Sequence, residues 1–240
     1  MQISIGSQRG RVHFHRGPWQ TMVLSERFVL IGDPPYGDDY ESGWQLGHGR
    51  DGSEPGARTL PESIDGDLDT TERDSFLERG GWVAAAVYGP SVTKVLTNPE
   101  LRPWGKPTAV LVIDKGEGAG GLGDLSFPWK TGNTETVAIY GEGWAGRRTS
   151  SVLQSRVVAF GRGSAANGRR HPNEKDLRNV LEFCEKAPPE LDIVDPWGGS
   201  GTTAEACALL GRTCWIAERN PVYWPTIEAR CKAVDAILGC

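Results

Sequence analysis

The chain has no long hydrophobic run. Its most apolar stretches, such as residues 82–88, fall far short of the roughly 20 residues that span a bilayer, so no membrane segment is expected. Residues 1–11 are polar and offer no apolar signal core, which argues against secretion and for a cytoplasmic location. Cysteine lacks any useful pattern: Cys184, Cys207, Cys214, Cys231 and Cys240 are odd in number and never spaced C-x-x-C, so neither a disulfide framework nor a zinc site is implied. His13 and His15 alternate on an expected strand, without the further ligands a metal would need. No metal is expected. Internal repeats are absent too, and the 32 glycines and 16 prolines point to many turns rather than low complexity.

What is present fits one α/β domain of 240 residues with a small insertion. Residues 11–15, 28–31, 82–88, 109–113 and 136–140 read as strands, and 71–79 as a short helix. The run 28–31 is wholly apolar, as expected of a parallel strand covered on both faces. Leu177, Val180, Leu181 and Cys184 recur at helical spacing within an expected helix over 173–186. A clean unit follows: strand 191–194, a glycine turn, helix 203–210 stopped by Gly211, and strand 213–217, which together make a parallel βαβ unit. A last helix is expected after Pro221, running towards Leu238. Residues 38–69 form a long polar stretch, of the kind that is usually functional or mobile.

Two segments place a carboxylate and a sharp turn at the tip of an expected buried strand, where open α/β sheets bind ligands. The first is Asp33-Pro34-Pro35-Tyr36; the second is Asp195-Pro196-Trp197-Gly198-Gly199-Ser200-Gly201-Thr202-Thr203. Gly199 to Ala204 fits G-x-G-x-x-A, with Glu218 about twenty residues on, placed to accept ribose hydroxyls. The pattern fits dinucleotides and S-adenosylmethionine alike, and a purely structural turn stays open. No Lys-Ser or Lys-Thr follows the glycines, which excludes a P-loop. Asp195 tilts the choice, because a carboxylate there repels a pyrophosphate and favours a cationic amino end.

The first segment suits methyl transfer to an aromatic amine. Such a nitrogen is a poor nucleophile because its lone pair is delocalised into the ring. Two acceptors gripping both N–H bonds favour a pyramidal nitrogen. Asp33 can supply one, and a carbonyl of Pro34 or Pro35, held by proline geometry, the other. Tyr36 offers a flat face on which a base can stack. An ordinary turn is the alternative.

Together these residues resemble the β-class, permuted amino-methyltransferases of DNA, in which the catalytic segment precedes the cofactor segment. Asp33-Pro34-Pro35-Tyr36 matches the family's catalytic motif. Asp195 to Thr203 matches its D-P-F-x-G-S-G-T-T loop with Trp197 in place of Phe, and Leu210-Gly211-Arg212, Glu218 and Tyr223 continue the match. His171-Pro172-Asn173-Glu174-Lys175 is similar to the H-P-x-x-K-P segment that helps bind the methionine end of the cofactor, with Asp176 replacing the last proline. Lys115-Gly116 followed by Gly123-Asp124 resembles phage and prophage members, and Pro18 stands where the family often has an acid that contacts the adenine ring.

The resemblance implies an open, mostly parallel, seven-stranded Rossmann-like methyltransferase sheet with one antiparallel strand, helices on both faces and a circularly permuted motif order. It implies S-adenosylmethionine as cofactor, with His171, Lys175, Asp195, Pro196, Trp197, Gly199, Ser200, Gly201, Thr202, Thr203 and Glu218 binding it. Asp33, Pro34, Pro35 and Tyr36 are implied to be catalytic. Residues 1–140 then form the catalytic half with its mobile loop, 141–170 a target-recognition arm, and 171–240 the cofactor half. Asp in the first catalytic position favours N6 of adenine over N4 of cytosine, in double-stranded DNA and with base flipping.

Net charge is −5, which taken alone argues against a nucleic-acid partner. Its distribution says otherwise, since residues 147–178 carry eight basic side chains against Glu174 and Asp176. Arg147, Arg148, Arg156, Arg162, Arg169 and Arg170 are therefore candidates for phosphate contacts, with a solvated basic face as the alternative. Methylation of RNA or protein, a catalytically inactive DNA-binding relative, and a dinucleotide oxidoreductase are the rival functions. The setting (restriction-modification, phage protection in a bacterial host, or regulation) and homodimerisation stay open.

Overall fold

A computed structural model of the chain describes residues 2–6, 11–36, 69–116, 128–129, 132–155 and 174–238. The long loop expected over 38–69, apart from Asp69, and most of the glycine-rich connection after Asp114 lie outside the described residues. In chain order the elements are β1 (Gln2–Gly6), β2 (Arg11–Arg16), β3 (Phe28–Gly32), α1 (Thr71–Arg79), β4 (Trp82–Gly89), α2 (Val92–Thr97), β5 (Ala109–Asp114), β6 (Thr134–Gly141), β7 (Val152–Gln154), α3 (Leu177–Lys186), β8 (Ile193–Asp195), α4 (Thr202–Leu210), β9 (Cys214–Glu218) and α5 (Trp224–Leu238).

All nine described strands join one sheet in the order β1-β2-β9-β8-β3-β4-β6-β5-β7. Its inner seven, from β2 to β5, contain one reversed strand: β6 runs antiparallel to both β4 and β5, and the rest are parallel. This is the expected Rossmann-like sheet. Two edge strands raise the count beyond the expected seven, β1 antiparallel to β2 and β7 parallel to β5. Neither was expected, because β7 is three residues long and β1 lies in a stretch read only as polar.

The central strands are buried on both faces, so their side chains alternate between two cores. Val29 and Ile31 of β3 join Val180, Phe183, Cys184, Ala204, Cys207 and Ile227 of α3, α4 and α5. Phe28 and Leu30 face the other way, towards Phe76 and Leu77 of α1 and a tryptophan-rich rim that includes Trp19, Trp82 and Trp197. Fully burying a side chain such as Leu30 or Phe76 is worth about 1.5–3 kcal/mol. Helices therefore cover both faces. Four described cysteines, Cys184, Cys207, Cys214 and Cys231, are buried free thiols in the first of these cores.

The connections reverse direction between β8 and β3. From β8 the chain crosses through α4 to β9 on one side, whereas β3 pairs with β4 on the other. That is a topological switch point, where a crevice opens at the carboxyl ends of the strands.

Candidate functional site

The two acid-tipped strands lie side by side. Strand β3 pairs in parallel with β8, Val29 beside Ile193 and Leu30 beside Val194, so Asp195 and Asp33 stand at neighbouring tips. The tips also touch. A Cβ placed on Gly32 would come within 2.9 Å of Trp197 Cε3 and 3.3 Å of Asp195 Oδ1, which is why only glycine fits before Asp33. Trp197 packs its indole edgewise on Phe76 of α1 at 5.4 Å, and its buried Nε1 has no partner among the described residues.

The glycine turn is built against β9. Gly198 N–H donates to Ala217 O at 2.7 Å, and a Cβ on Gly198 would sit 2.7 Å from Ile216 Cγ1 and 2.9 Å from that same carbonyl. Gly201, the N-cap of α4, is left-handed at φ +83°, a region that favours glycine. Thr202 and Thr203 then open α4, both buried, with Ser200 Oγ 3.3 Å from Thr202 Oγ1. Arg212, just beyond Gly211, fastens the unit from below by donating to the carbonyls of Cys184, Ala187, Pro188 and Leu191.

Three carboxylates crown three adjacent parallel strands. Glu218, ending β9, accepts from Gly199 N–H at 2.7 Å and Asn220 N–H at 2.6 Å. Burial raises its pKa against those backbone donors. Asp195 accepts from Trp197 N–H at 3.0 Å, and burial pushes it up to about 7, helped by the nearby charges of Asp33 and Glu218. Burial also raises Asp33, partly offset by the amine of Lys175. Each carboxyl is harder to ionise than usual, chiefly because burial desolvates its charged form, and a cation bound beside it would favour ionisation.

Asp195 makes that burial cost measurable. A carboxyl ordinarily near 3.8 that folding raises to about 7 contributes its full share of stability below about pH 3.8, and this share is lost as pH climbs through 7. Asp195→Asn keeps an acceptor but cannot ionise. At pH 8 it should be more stable than the parent by roughly 3–4 kcal/mol, with the gap nearly closed at pH 4. Urea unfolding at the two pH values checks this, and an equal gap at both would contradict it.

Around Asp33 the chain assembles a buried polar cluster. Lys175 Nζ lies 3.0 Å from Asp33 Oδ2, 3.0 Å from Glu135 Oε1 and 3.0 Å from Tyr36 Oη. Tyr36 donates its hydroxyl to Asp33 Oδ1 at 2.5 Å. Lys115 Nζ reaches the same Glu135 oxygen at 3.0 Å, and the ring of Tyr88 lies 4.9 Å from Lys175 Nζ. Burial alone would raise Glu135, but Lys175 and Lys115 outweigh it and bring it down to about 2. Burial likewise opposes the charge on Lys175, yet Asp33 and Glu135 win and its pKa is raised.

The expected residues thus divide. Asp33, Pro34, Pro35, Tyr36, Lys175, Asp195, Pro196, Trp197, Gly199, Ser200, Gly201, Thr202, Thr203 and Glu218 converge on one end of the sheet. Lys175, implied by the resemblance to help bind the cofactor, touches the Asp33 segment. Arg147 and Arg148 are exposed in the loop between β6 and β7, while Arg156, Arg162, Arg169, Arg170 and His171 lie outside the described residues. Glu135 and Tyr88 were not foreseen; Glu135 lies one residue before the strand expected over 136–140, which in the structure begins at Thr134.

No family model matches the sequence, and no curated protein matches it. Solved structures do match the fold. The PvuII DNA methyltransferase (cytosine-N4-specific) superposes with a TM-score of 0.55 at 13% identity, covering 98% of this chain and 93% of its own. The M1.HpyAVI–SAM complex gives 0.54 at 14% identity, over 92% and 99% of the two chains. TTHA0409, described as a putative DNA modification methylase from Thermus thermophilus and solved with S-adenosyl-L-methionine, gives 0.51 at 14%, over 92% and 95%. The chain therefore has the fold of solved DNA methyltransferases along nearly its whole length.

Proposed function

We propose that the chain is an S-adenosylmethionine-dependent DNA methyltransferase that modifies the exocyclic amino group of adenine, at N6, within a specific double-stranded sequence. One observation carries the reading: Asp33 and the Asp195 glycine turn stand at adjacent tips of β3 and β8, at the switch point of the sheet. The two segments, more than 150 residues apart, form one crevice. The solved methyltransferases of the same fold, two of them bound to the cofactor, support the class.

The crevice fits the cofactor chemically. Gly199, Gly201 and the start of α4 bring backbone close to a ligand, and Glu218 accepts from the backbone N–H groups of Gly199, Arg219 and Asn220. Its remaining acceptor capacity can take a ribose hydroxyl. Asp195, raised by burial, is relieved by a cationic amino end. When bound, the sulfonium cofactor supplies an electrophilic methyl, whose bond to sulfur breaks as the bond to nitrogen forms.

The chain's residues prepare the nitrogen. Asp33 spends one lone pair on Tyr36 and another on Lys175, which leaves capacity for one N–H of a flipped base. The carbonyl of Pro34 or Pro35 accepts the second N–H. Both contacts favour a pyramidal nitrogen, and Asp33 disperses the positive charge that grows there and receives its proton. Arg147 and Arg148, with the basic residues that follow, are suited to the DNA phosphates.

The test is transfer of labelled methyl from S-adenosylmethionine to duplex DNA, followed by modification-sensitive sequencing. N6-methyladenine at one recognition sequence is the expected product. N4-methylcytosine would change the base, and transfer to RNA alone would change the polymer. Absence of both transfer and cofactor binding would remove the reading altogether.

A further inference from the structure

We propose that Lys175 is a positioning residue for Asp33, and that Glu135 is the counter-ion that holds it, so that the Asp33 carboxylate keeps both its orientation and its negative charge towards the target amine. This rests on the methyl-transfer reading above and adds to it a new role for Lys175, the last residue of the His171 to Lys175 segment, and a role for Glu135, which lies outside every motif segment. An ammonium group has three protons to donate. Those of Lys175 match three acceptors at 3.0 Å each, on Asp33, Glu135 and Tyr36, so the amine is committed within the chain.

Geometry fixes that amine from both sides. Residues 174–176 precede α3 outside any helix or strand, and the side chains of Glu174 and Lys175 go to different partners. Lys175 enters the cluster while Glu174 pairs with the buried Arg230 of α5. The ring of Tyr88 closes the side of the amine at the end of β4, and its hydroxyl, buried, has no partner among the described residues.

Charge explains why two acids are needed. A buried lysine beside Asp33 alone would make a neutral pair, leaving little field to stabilise an amine that becomes cationic. With Glu135 added, the inner three groups carry one net negative charge, and Lys115 balances Glu135 from the partly exposed side. The charged and titratable groups facing Asp33 among the described residues are Lys175, Glu135, Asp195 and Tyr36, with Tyr88 and Lys115 behind them.

The test reads Asp33 directly. Carbon-13 NMR of the aspartate carboxyls, with Asp33→Asn assigning the signal, gives its titration midpoint without any methyl transfer. Lys175→Met removes the cation and should move the midpoint up by about one to three pH units. Glu135→Gln removes the competing anion and should move it down. Lys175→Arg should restore it towards the parent value. The acid limb of the methyl-transfer rate should follow in the same directions.

Opposed shifts support the pair. Midpoints that stay put, or move the same way in both variants, overturn it. Should Lys175→Met fail to fold, the near-isosteric Glu135→Gln carries the sign test alone. A parent protein that transfers no methyl yet shows opposed shifts would sink the functional reading and leave the pair standing. An active parent with unmoved midpoints would do the reverse.

Discussion

Asp33→Ala is expected to slow methyl transfer by about 10²–10⁴-fold while leaving S-adenosylmethionine affinity within a few-fold of the parent. The loss comes from removing both the acceptor that shapes the target nitrogen and the carboxylate that takes up its proton. The glycine turn is untouched, because its supports are Ala217, Glu218 and Asn220 on β9 and beyond, and none of them contacts Asp33. The fold should survive as well. Lys175 keeps Glu135 at 3.0 Å, so the substitution does not strand a buried cation. Single-turnover transfer and calorimetric titration of the cofactor separate the two quantities. A rate within tenfold of the parent would remove Asp33 from the chemistry, and an equal fall in affinity would place it in the cofactor site instead. Asp33→Asn refines the reading, since it keeps the shape and an acceptor but loses the charge.

Much of this site is legible in the residues alone, for a physical reason. A parallel strand buried on both faces must be a short, continuous apolar run, and the polar residue that ends it must sit at the sheet's edge. Residues 28–31 before Gly32-Asp33 have that form, and Ile193-Val194 before Asp195 is a shorter run of the same kind, so the two acids could be placed at strand tips from sequence. Gly211 was legible as a stop because the helix must end in a left-handed residue, and the structure holds it at φ +68°. That the tips are neighbours follows from pairing between β3 and β8, which only the resemblance implied.

The rest is tertiary. Helix α3 was expected from residue 173 but begins at Leu177, because Asp176 turns its side chain back to cap the N–H of Arg178. That late start leaves Glu174 and Lys175 outside the helix, each with its own partner. No local pattern announces where they go. Glu135 is similarly silent, since one acid near the start of a strand looks like a solvent-facing position until β6 is reversed beside β4 and carries it to the cluster. Strand β7 and helix α2 are too short to show a period, and α2 depends on Ser91 accepting from Lys94 N–H.

Arg230 shows how far such silent residues reach. It lies on α5, is only 4% exposed, and pairs with Glu205 on α4 and with Glu174 beside Lys175. In sequence it is one more polar residue of a terminal helix. In the fold it bridges two half-buried acids and ties the segment carrying Lys175 to the helices of the first core. Arg230→Leu removes that cation from beside both carboxylates. Breaking a buried pair from one side costs about 3–5 kcal/mol, chiefly because the remaining charge is uncompensated. The variant should therefore unfold at clearly lower urea concentration, with a melting point lower by roughly 10 °C for a chain of this size.

The substitution also separates anchoring from chemistry. Adding Glu174→Gln and Glu205→Gln to Arg230→Leu removes the stranded charges and should recover most of the lost stability, since a polar or apolar replacement of a whole buried ion cluster is often close to neutral. It restores no tether, however, so Lys175 should remain free to drift and the Asp33 titration should stay perturbed in a protein that is stable again. Recovery of both together would show that Arg230 only balances charge. Recovery of stability alone would show that the far side of the molecule holds Lys175 in place against Asp33.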